Sequence, residues 1–147
     1  MKKTFPILLF ILVLLFLGVP PLIYAQVQTR LRIFEASNVG TGIDSSLRDM
    51  GDQFKSLLSF SSYRLLKEET VVLRPAQPAL IPLHAGRSME LLLTGQNRNV
   101  AEVRVKIKRE QTDVLDTKVR LSPGRTVSIG GPKHGQGVII ITLSAQF

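Results

Sequence analysis

The chain has 147 residues, with 19 lysines and arginines, 11 aspartates and glutamates, and no cysteine. This length suits one domain. The lack of thiols excludes disulfides, thiolate metal sites, a thiol nucleophile and the lipidation of an N-terminal signal sequence at a cysteine. The fold therefore has to be held together by its apolar core alone.

The first 25 residues have the order of features of a secretory signal peptide. Lys2 and Lys3 supply positive charge, an apolar run covers 7–19, and Ala25 is a small residue suited to cleavage. Cleavage after Ala25 leaves a single mostly β domain at 26–147, with 17 basic and 11 acidic side chains and a net charge of +6. The alternative is an uncleaved N-terminal anchor, although a membrane span needs about 20 apolar residues. We expect an exported protein of the periplasm or cell envelope.

The start of this domain combines a strand with one helix pattern. Residues 27–36 alternate between apolar and polar, which predicts a half-buried strand. After a loop at 38–42, apolar residues recur near a 3.6-residue period, at Ile43, Leu47, Met50, Phe54, Leu57 and Leu58. Asp44 or Ser45 would cap this amphipathic helix by accepting hydrogen bonds from its first free amides. We expect the helix to pack over a sheet edge or a barrel mouth.

The rest of the chain consists of strand-like segments separated by turn residues. Gly130–Gly137 is predicted to be a glycine-rich loop, and Pro75, Pro78 and Pro82 mark bends or an edge strand. This spacing predicts a mainly β (α+β) fold, an antiparallel sandwich or small open barrel with one N-terminal amphipathic helix. The predicted strands cover residues 63–68, 70–74, 88–94, 100–108, 113–121, 125–129 and 138–145.

One hairpin has a register that the sequence indicates, if its turn lies at 110–112. Its two faces are then chemically distinct, with apolar pairs on one side and two opposite-charge pairs on the other, which makes the register self-consistent. The apolar face pairs Ile107 with Leu115, Val105 with Thr117 and Val103 with Val119, and the polar face pairs Lys106 with Asp116, Glu102 with Arg120 and Arg104 with Lys118.

Two groups of residues are candidate contacts for a ligand or partner. Arg104, Lys106 and Lys118 belong to a basic stripe that could bind an anionic glycan or lipid headgroup. Acids paired with this stripe favour an ordinary solvated strand face, and the absence of interleaved aromatic residues makes nucleic acid a poor partner. Lys133 and His134 lie in the glycine-rich loop, where consecutive amides could hold an anion, although a plain hairpin is the favoured interpretation.

We find no pattern typical of catalysis, of metal binding or of a cofactor. His84 and His134 are distant in the sequence and a zinc site needs three or four ligands, so each is expected to be an ordinary surface histidine. There is no G-x-S-x-G nucleophile motif, and the adjacent Glu68 and Glu69 point to opposite faces of a strand. We expect no enzyme activity, no cofactor and no metal, with a hydrolase of unrecognised site as one alternative.

The C-terminal strand offers a second alternative function. Its alternating residues end in an aromatic side chain, which is the pattern of the closing strand of an outer-membrane barrel. Several predicted strands are shorter than the roughly 9–11 residues that a membrane-spanning strand needs, so a core strand is favoured over a small outer-membrane β-barrel protein. The alternating residues are Ile139, Ile141, Leu143, Ala145 and Phe147.

Two segments resemble a group of small exported bacterial β-domain proteins of unassigned function. They are the block F-K-S-L-L-S-F-S-S-Y-R-L-L at 54–66 and a closing strand–Gly-Gly-Pro–strand unit at 127–141. Residues 125–131 are also similar to a segment of the secretins, the outer-membrane secretion channels. The resemblance implies export and a helix followed by several strands, and it implies no activity. We therefore expect a non-catalytic envelope binding module, an accessory of a secretion or envelope complex, whose partner is another envelope protein.

Overall fold

A computed structural model describes residues 26–50 and 60–147. The predicted leader and the stretch 51–59 lie outside the described residues. Within the described ranges the chain forms a 3₁₀ turn at Ser45–Leu47 and nine strands, which are β1 (Val27–Ser37), β2 (Gly42–Ile43), β3 (Ser62–Leu73), β4 (Ala79–Leu83), β5 (Arg87–Gln96), β6 (Ala101–Arg109), β7 (Thr112–Leu121), β8 (Thr126–His134) and β9 (Gly137–Gln146).

These strands form two sheets that stack face to face. The five-stranded sheet has the order β2-β3-β1-β9-β8, and the four-stranded sheet has the order β4-β5-β6-β7. Pairing is antiparallel throughout except between β2 and β3. Alternate residues of both sheets point inward, so that Leu31, Ile141, Met89 and Val105 share one apolar core. The described chain is therefore a mainly β sandwich, one of the two predicted architectures.

A second apolar cluster covers the outer face of the five-stranded sheet. Phe34 and Ile140, on the central strands β1 and β9, point to this face and are buried there by Leu47 and Met50. The 3₁₀ turn begins as the capping argument predicted, because the carboxylate of Asp44 accepts a hydrogen bond from the amide of Ser46 at 3.0 Å. The outer face needs this cover, since the first half of β9, at 138–141, is apolar on both sides.

The predicted amphipathic helix is not confirmed by the described residues. Ile43, predicted as its first apolar residue, belongs to the short strand β2, and the described part of the segment makes a single 3₁₀ turn. This part packs on the outer face of the five-stranded sheet and not over an edge, because Leu47 and Met50 fill the space above Phe34. The rest of the prediction falls on 51–59, outside the described residues.

Two other predictions are corrected and a third is confirmed. Segments 63–68 and 70–74 form the single strand β3, because both pair with β1 and a bulge opposite Ile33 and Phe34 absorbs one extra residue. The predicted glycine-rich loop is mostly strand, since β8 continues through a second bulge to His134. The prediction that Pro82 marks a bend or an edge strand is confirmed, because Pro82 lies within β4 at the edge of the four-stranded sheet, where the missing amide hydrogen can face away from the neighbouring strand.

The predicted register of the β6–β7 hairpin is confirmed at every pair. The turn is one residue tighter than expected, because Arg109 pairs with Thr112. A bulge between Ile107 and Lys108 shifts the register before the turn, which makes this shorter turn compatible with the predicted pairs.

Thr29 is a polar residue buried in the core, and its hydroxyl has no hydrogen-bond partner among the described residues. A buried unpaired polar group costs about 1–3 kcal/mol. We expect Thr29→Val, which has nearly the same shape, to raise the free energy of unfolding by about 1 kcal/mol in urea denaturation. Thr29→Ser keeps the hydroxyl and loses a methyl group, so it should lower that free energy by about 1 kcal/mol. A Thr29→Val variant no more stable than the native chain would contradict this assignment.

Candidate functional site

An apolar cleft of about 330 Å³ opens between the two sheets at the end of the sandwich where β4 turns into β5. Small-molecule sites typically enclose about 300–1,000 Å³ and combine apolar walls with a few polar groups, and this cleft has both properties. Its floor comes from the central strands β1 and β9, and its rim carries three basic side chains. The lining residues are Ile33, Leu66, Lys67, Pro82, Leu83, His84, His134 and Ile139.

Local irregularities of the strands place the rim residues at the cleft. The bulge in β3 lets the consecutive residues Leu66 and Lys67 both line it, where a regular strand would present only one of them to a given side. Ala85 and Gly86 both have positive φ, 62° and 66°, which makes a tight turn that directs His84 toward the cleft.

The structure brings the two histidines together, although sequence reasoning treated them as distant. Their ring centroids are 6.4 Å apart. His84 is exposed, whereas the side chain of His134 is only 19% exposed, so the expectation of two ordinary surface histidines is wrong for His134. His84 follows β4 of the four-stranded sheet, and His134 ends β8 of the five-stranded sheet. Their proximity therefore depends on how the two sheets stack, and no local sequence pattern indicates it.

Glu35 is a residue of this site that the sequence did not indicate. One of its carboxylate oxygens lies 3.4 Å from Nε2 of His134, and the other lies 3.4 Å from Nη2 of Arg64. A histidine beside a carboxylate supplies two parts of a catalytic triad, but among the described residues no side chain lining the cleft carries a hydroxyl or thiol. The described residues contain no group of three or more histidines and carboxylates able to hold a metal ion.

Arg87 lies beside the cleft and is the second residue that sequence reasoning missed. It is opposite the lining residue Leu83 in the β4–β5 ladder, and its Nη2 donates a hydrogen bond of 2.7 Å to the carbonyl oxygen of Lys133. Its Nε and Nη1 are buried and have no hydrogen-bond partner among the described residues. Buried donors of this kind are costly when nothing accepts from them.

The five predicted contact residues fall into two separate places. His134 lines the cleft, and Lys133 is its exposed neighbour at the end of β8. Arg104, Lys106 and Lys118 lie together on the outer face of the four-stranded sheet, since the alternate residues of β6 and β7 fill the core.

Arg104, Lys106 and Lys118 are each paired with an acid, two of them along diagonals. Arg104 lies opposite Lys118 but donates to both carboxylate oxygens of Asp116, at 2.9 and 2.7 Å. Lys118 Nζ reaches Glu102 at 3.6 Å, and Lys106 Nζ lies 3.9 Å from Asp116. These pairs cancel much of the positive field, which supports the interpretation of a solvated strand face.

The Arg104–Asp116 pair leads to a pH prediction. Hydrogen bonds from Arg104 lower the pKa of Asp116 in the folded protein. The stabilisation is therefore present above the pKa of this carboxyl in the unfolded chain, and it is lost as the pH falls through the folded value. We expect Asp116→Asn to lower stability at neutral pH and to weaken the acid-range loss of stability, measured by urea denaturation across pH.

The matched control for this prediction is Asp113→Asn. Asp113 lies 3.9 Å from Lys106 and makes no bidentate contact with an arginine, so its replacement should change the pH profile less. Identical profiles for the two variants would show that the Arg104–Asp116 pair has no special role.

No protein-family model matches the chain, and no curated protein or solved structure compared with it gives a match. Within 26–50 and 60–147, no helix is both long and apolar enough to cross a bilayer.

Proposed function

We propose that the chain is an exported, non-catalytic binding module of the periplasm or cell envelope, and that it binds through the cleft between its sheets. The proposal that the chain binds a ligand rests on the cleft, which has an apolar floor and a polar rim. The export part rests on the leader pattern of Lys2, Lys3, the apolar run and Ala25. Such a module would act as an accessory of an envelope or secretion complex.

The position of the floor supports a site that exists before a ligand arrives. Ile33 and Ile139 are each only 2% exposed and lie on β1 and β9, which are paired on both sides within the five-stranded sheet. Strands held in this way do not need to rearrange for binding, so little of the binding free energy is lost to ordering.

Export is tested by expressing the full chain in a bacterium and determining the mass of the product released by osmotic shock. We expect a mature chain beginning at Gln26. The control Leu14→Arg interrupts the apolar run and should keep the chain inside the cell. A full-length product in the cytoplasm would contradict export, and a full-length product that carbonate does not wash from membranes would contradict cleavage.

Binding at the cleft is tested by filling it. Leu83→Trp places a larger side chain in the lining, whereas Leu80→Trp changes a residue of the same strand that is 70% exposed. Some fractions of an envelope extract should raise the melting temperature of the native chain. We expect the same fractions to raise the melting temperature of Leu80→Trp and to leave that of Leu83→Trp unchanged. Equal stabilisation of all three proteins would show that binding occurs elsewhere.

A further inference from the structure

We infer that the cleft takes a small amphiphile with a single alkyl chain and a carboxylate head, and that Arg87 recognises the head. This inference rests on the proposed function, because it names the ligand class for the same cleft. Three observations lead to it, namely the size and apolar floor of the cleft, the balance of charge around it, and the unused donors of Arg87.

The apolar part of the cleft fits one short chain. Its volume of about 330 Å³ is near the lower end of the roughly 300–1,000 Å³ range of small-molecule sites. Ile33, Leu66, Leu83 and Ile139 offer only hydrocarbon to an occupant. A site of this size and composition suits a single medium-length alkyl chain and is too small for a lipid with two long chains.

The charge at this end of the sandwich favours an anion. Two basic residues near the cleft are already compensated, since Lys67 Nζ lies 3.2 Å from Glu69 and Arg64 lies 3.4 Å from Glu35. Three basic residues near the cleft form no ion pair with a carboxylate in the part of the chain that the structure describes, namely Arg87, its ladder neighbour Arg109 and Lys133. Glu110, whose amide donates to the carbonyl oxygen of Gly86, also has no ion pair there and offsets only one of these three charges. The uncompensated charge is therefore positive, and a cationic ligand would be repelled.

Arg87 is better placed for recognition than for holding the fold together. Its hydrogen bond to the carbonyl oxygen of Lys133 fixes the guanidinium beside the cleft and leaves Nε and Nη1 without partners among the described residues. Arg87 is a half-buried residue whose Nε and Nη1 atoms are buried. Such donor atoms are unfavourable until an acceptor arrives, and a carboxylate makes strong charge-assisted hydrogen bonds with them. The ligand head would satisfy donors that the described protein leaves unsatisfied.

The inference is tested with three probes that share an eight-carbon chain, namely octanoate, octanol and octylammonium, by calorimetric titration of the purified mature domain. We expect octanoate to bind at least about tenfold more tightly than octanol, because only the carboxylate pairs with Arg87. Octylammonium should bind most weakly. Octanol or octylammonium binding as tightly as octanoate would overturn the inference.

Two arginine variants separate a direct contact from a general field. Arg87→Met should weaken octanoate binding about tenfold or more, leave octanol binding unchanged and leave the free protein at least as stable as the native chain. The control Arg109→Met removes one positive charge from the same end and should weaken octanoate binding by less than about threefold, because an exposed charge is screened by salt. If the two variants weaken octanoate binding equally, Arg87 does not recognise the carboxylate directly. The same conclusion would follow if Arg87→Met were less stable than the native chain and bound octanoate with the native affinity.

The failures of the two proposals are distinguishable. If no octyl probe binds while an envelope fraction still stabilises the native chain and not Leu83→Trp, the carboxylate inference is wrong and the binding module stands. If Leu83→Trp responds to every fraction and probe as the native chain does, cleft binding itself is wrong.

Discussion

Gly137→Ala should lower the free energy of unfolding by about 3 kcal/mol or more, a large share of the stability of a domain this size. A Cβ atom at this position would overlap the carbonyl oxygen of Ala36 and would lie 2.9 Å from its carbonyl carbon and 3.0 Å from Cβ of Ser37. Those backbone atoms belong to β1, which pairs with β9 along its length. They cannot move aside without separating the two central strands of the sheet.

The control for this effect is Gly130→Ala. Gly130 lies in the adjacent edge strand β8, and a Cβ atom there would meet no atom of the described residues within 4 Å. Urea denaturation should show this variant within about 0.5 kcal/mol of the native chain. If the two alanine variants unfold at the same urea concentration, the close approach of Gly137 to β1 does not exist in solution.

The second large effect is expected at Phe34, in the cluster on the outer face of the five-stranded sheet. Phe34 is 0% exposed there, covered by Leu47 and Met50. Truncating a buried phenylalanine removes its hydrophobic contribution and leaves a cavity, so Phe34→Ala should lower the free energy of unfolding by about 3–5 kcal/mol. If residues 44–50 did not cover this face, the side chain would be partly solvated and the loss would be much smaller.

Denaturation of two further variants calibrates this result. Phe34→Leu keeps most of the apolar volume and should cost clearly less than the alanine variant. Leu80→Ala truncates a side chain that is 70% exposed and should stay within about 0.5 kcal/mol of the native chain. A Phe34→Ala variant as stable as Leu80→Ala would show that the outer face is not a second core.

Prediction of structure from the sequence was most accurate where one local pattern determines both faces of a strand pair. The β6–β7 register followed from apolar residues on one side and complementary charges on the other, and every predicted pair is observed. The ion pairs on that hairpin were less predictable, because long side chains such as Arg104 reach a diagonal partner in preference to the residue directly opposite.

Features that depend on pairing between distant segments could not be predicted. The two short strands predicted between 63 and 74 merge because β1 is long enough to pair with both, and neither segment carries that information. The cleft depends on the same kind of long-range arrangement. Glu35, Arg87 and His134 come from three separate strands, and only the assembled sheets bring them to one end of the sandwich.

The central pairing of β1 with β9 has a consequence for biosynthesis. The first described strand needs the last one as its partner, from Gln28 opposite Gln146 to Ser37 opposite Gly137. The five-stranded sheet therefore cannot close until β9 has been synthesised, and contacts of such long sequence separation form slowly. Until β9 is available, β1 lacks the partner that covers one of its edges, and the central part of this sheet stays open.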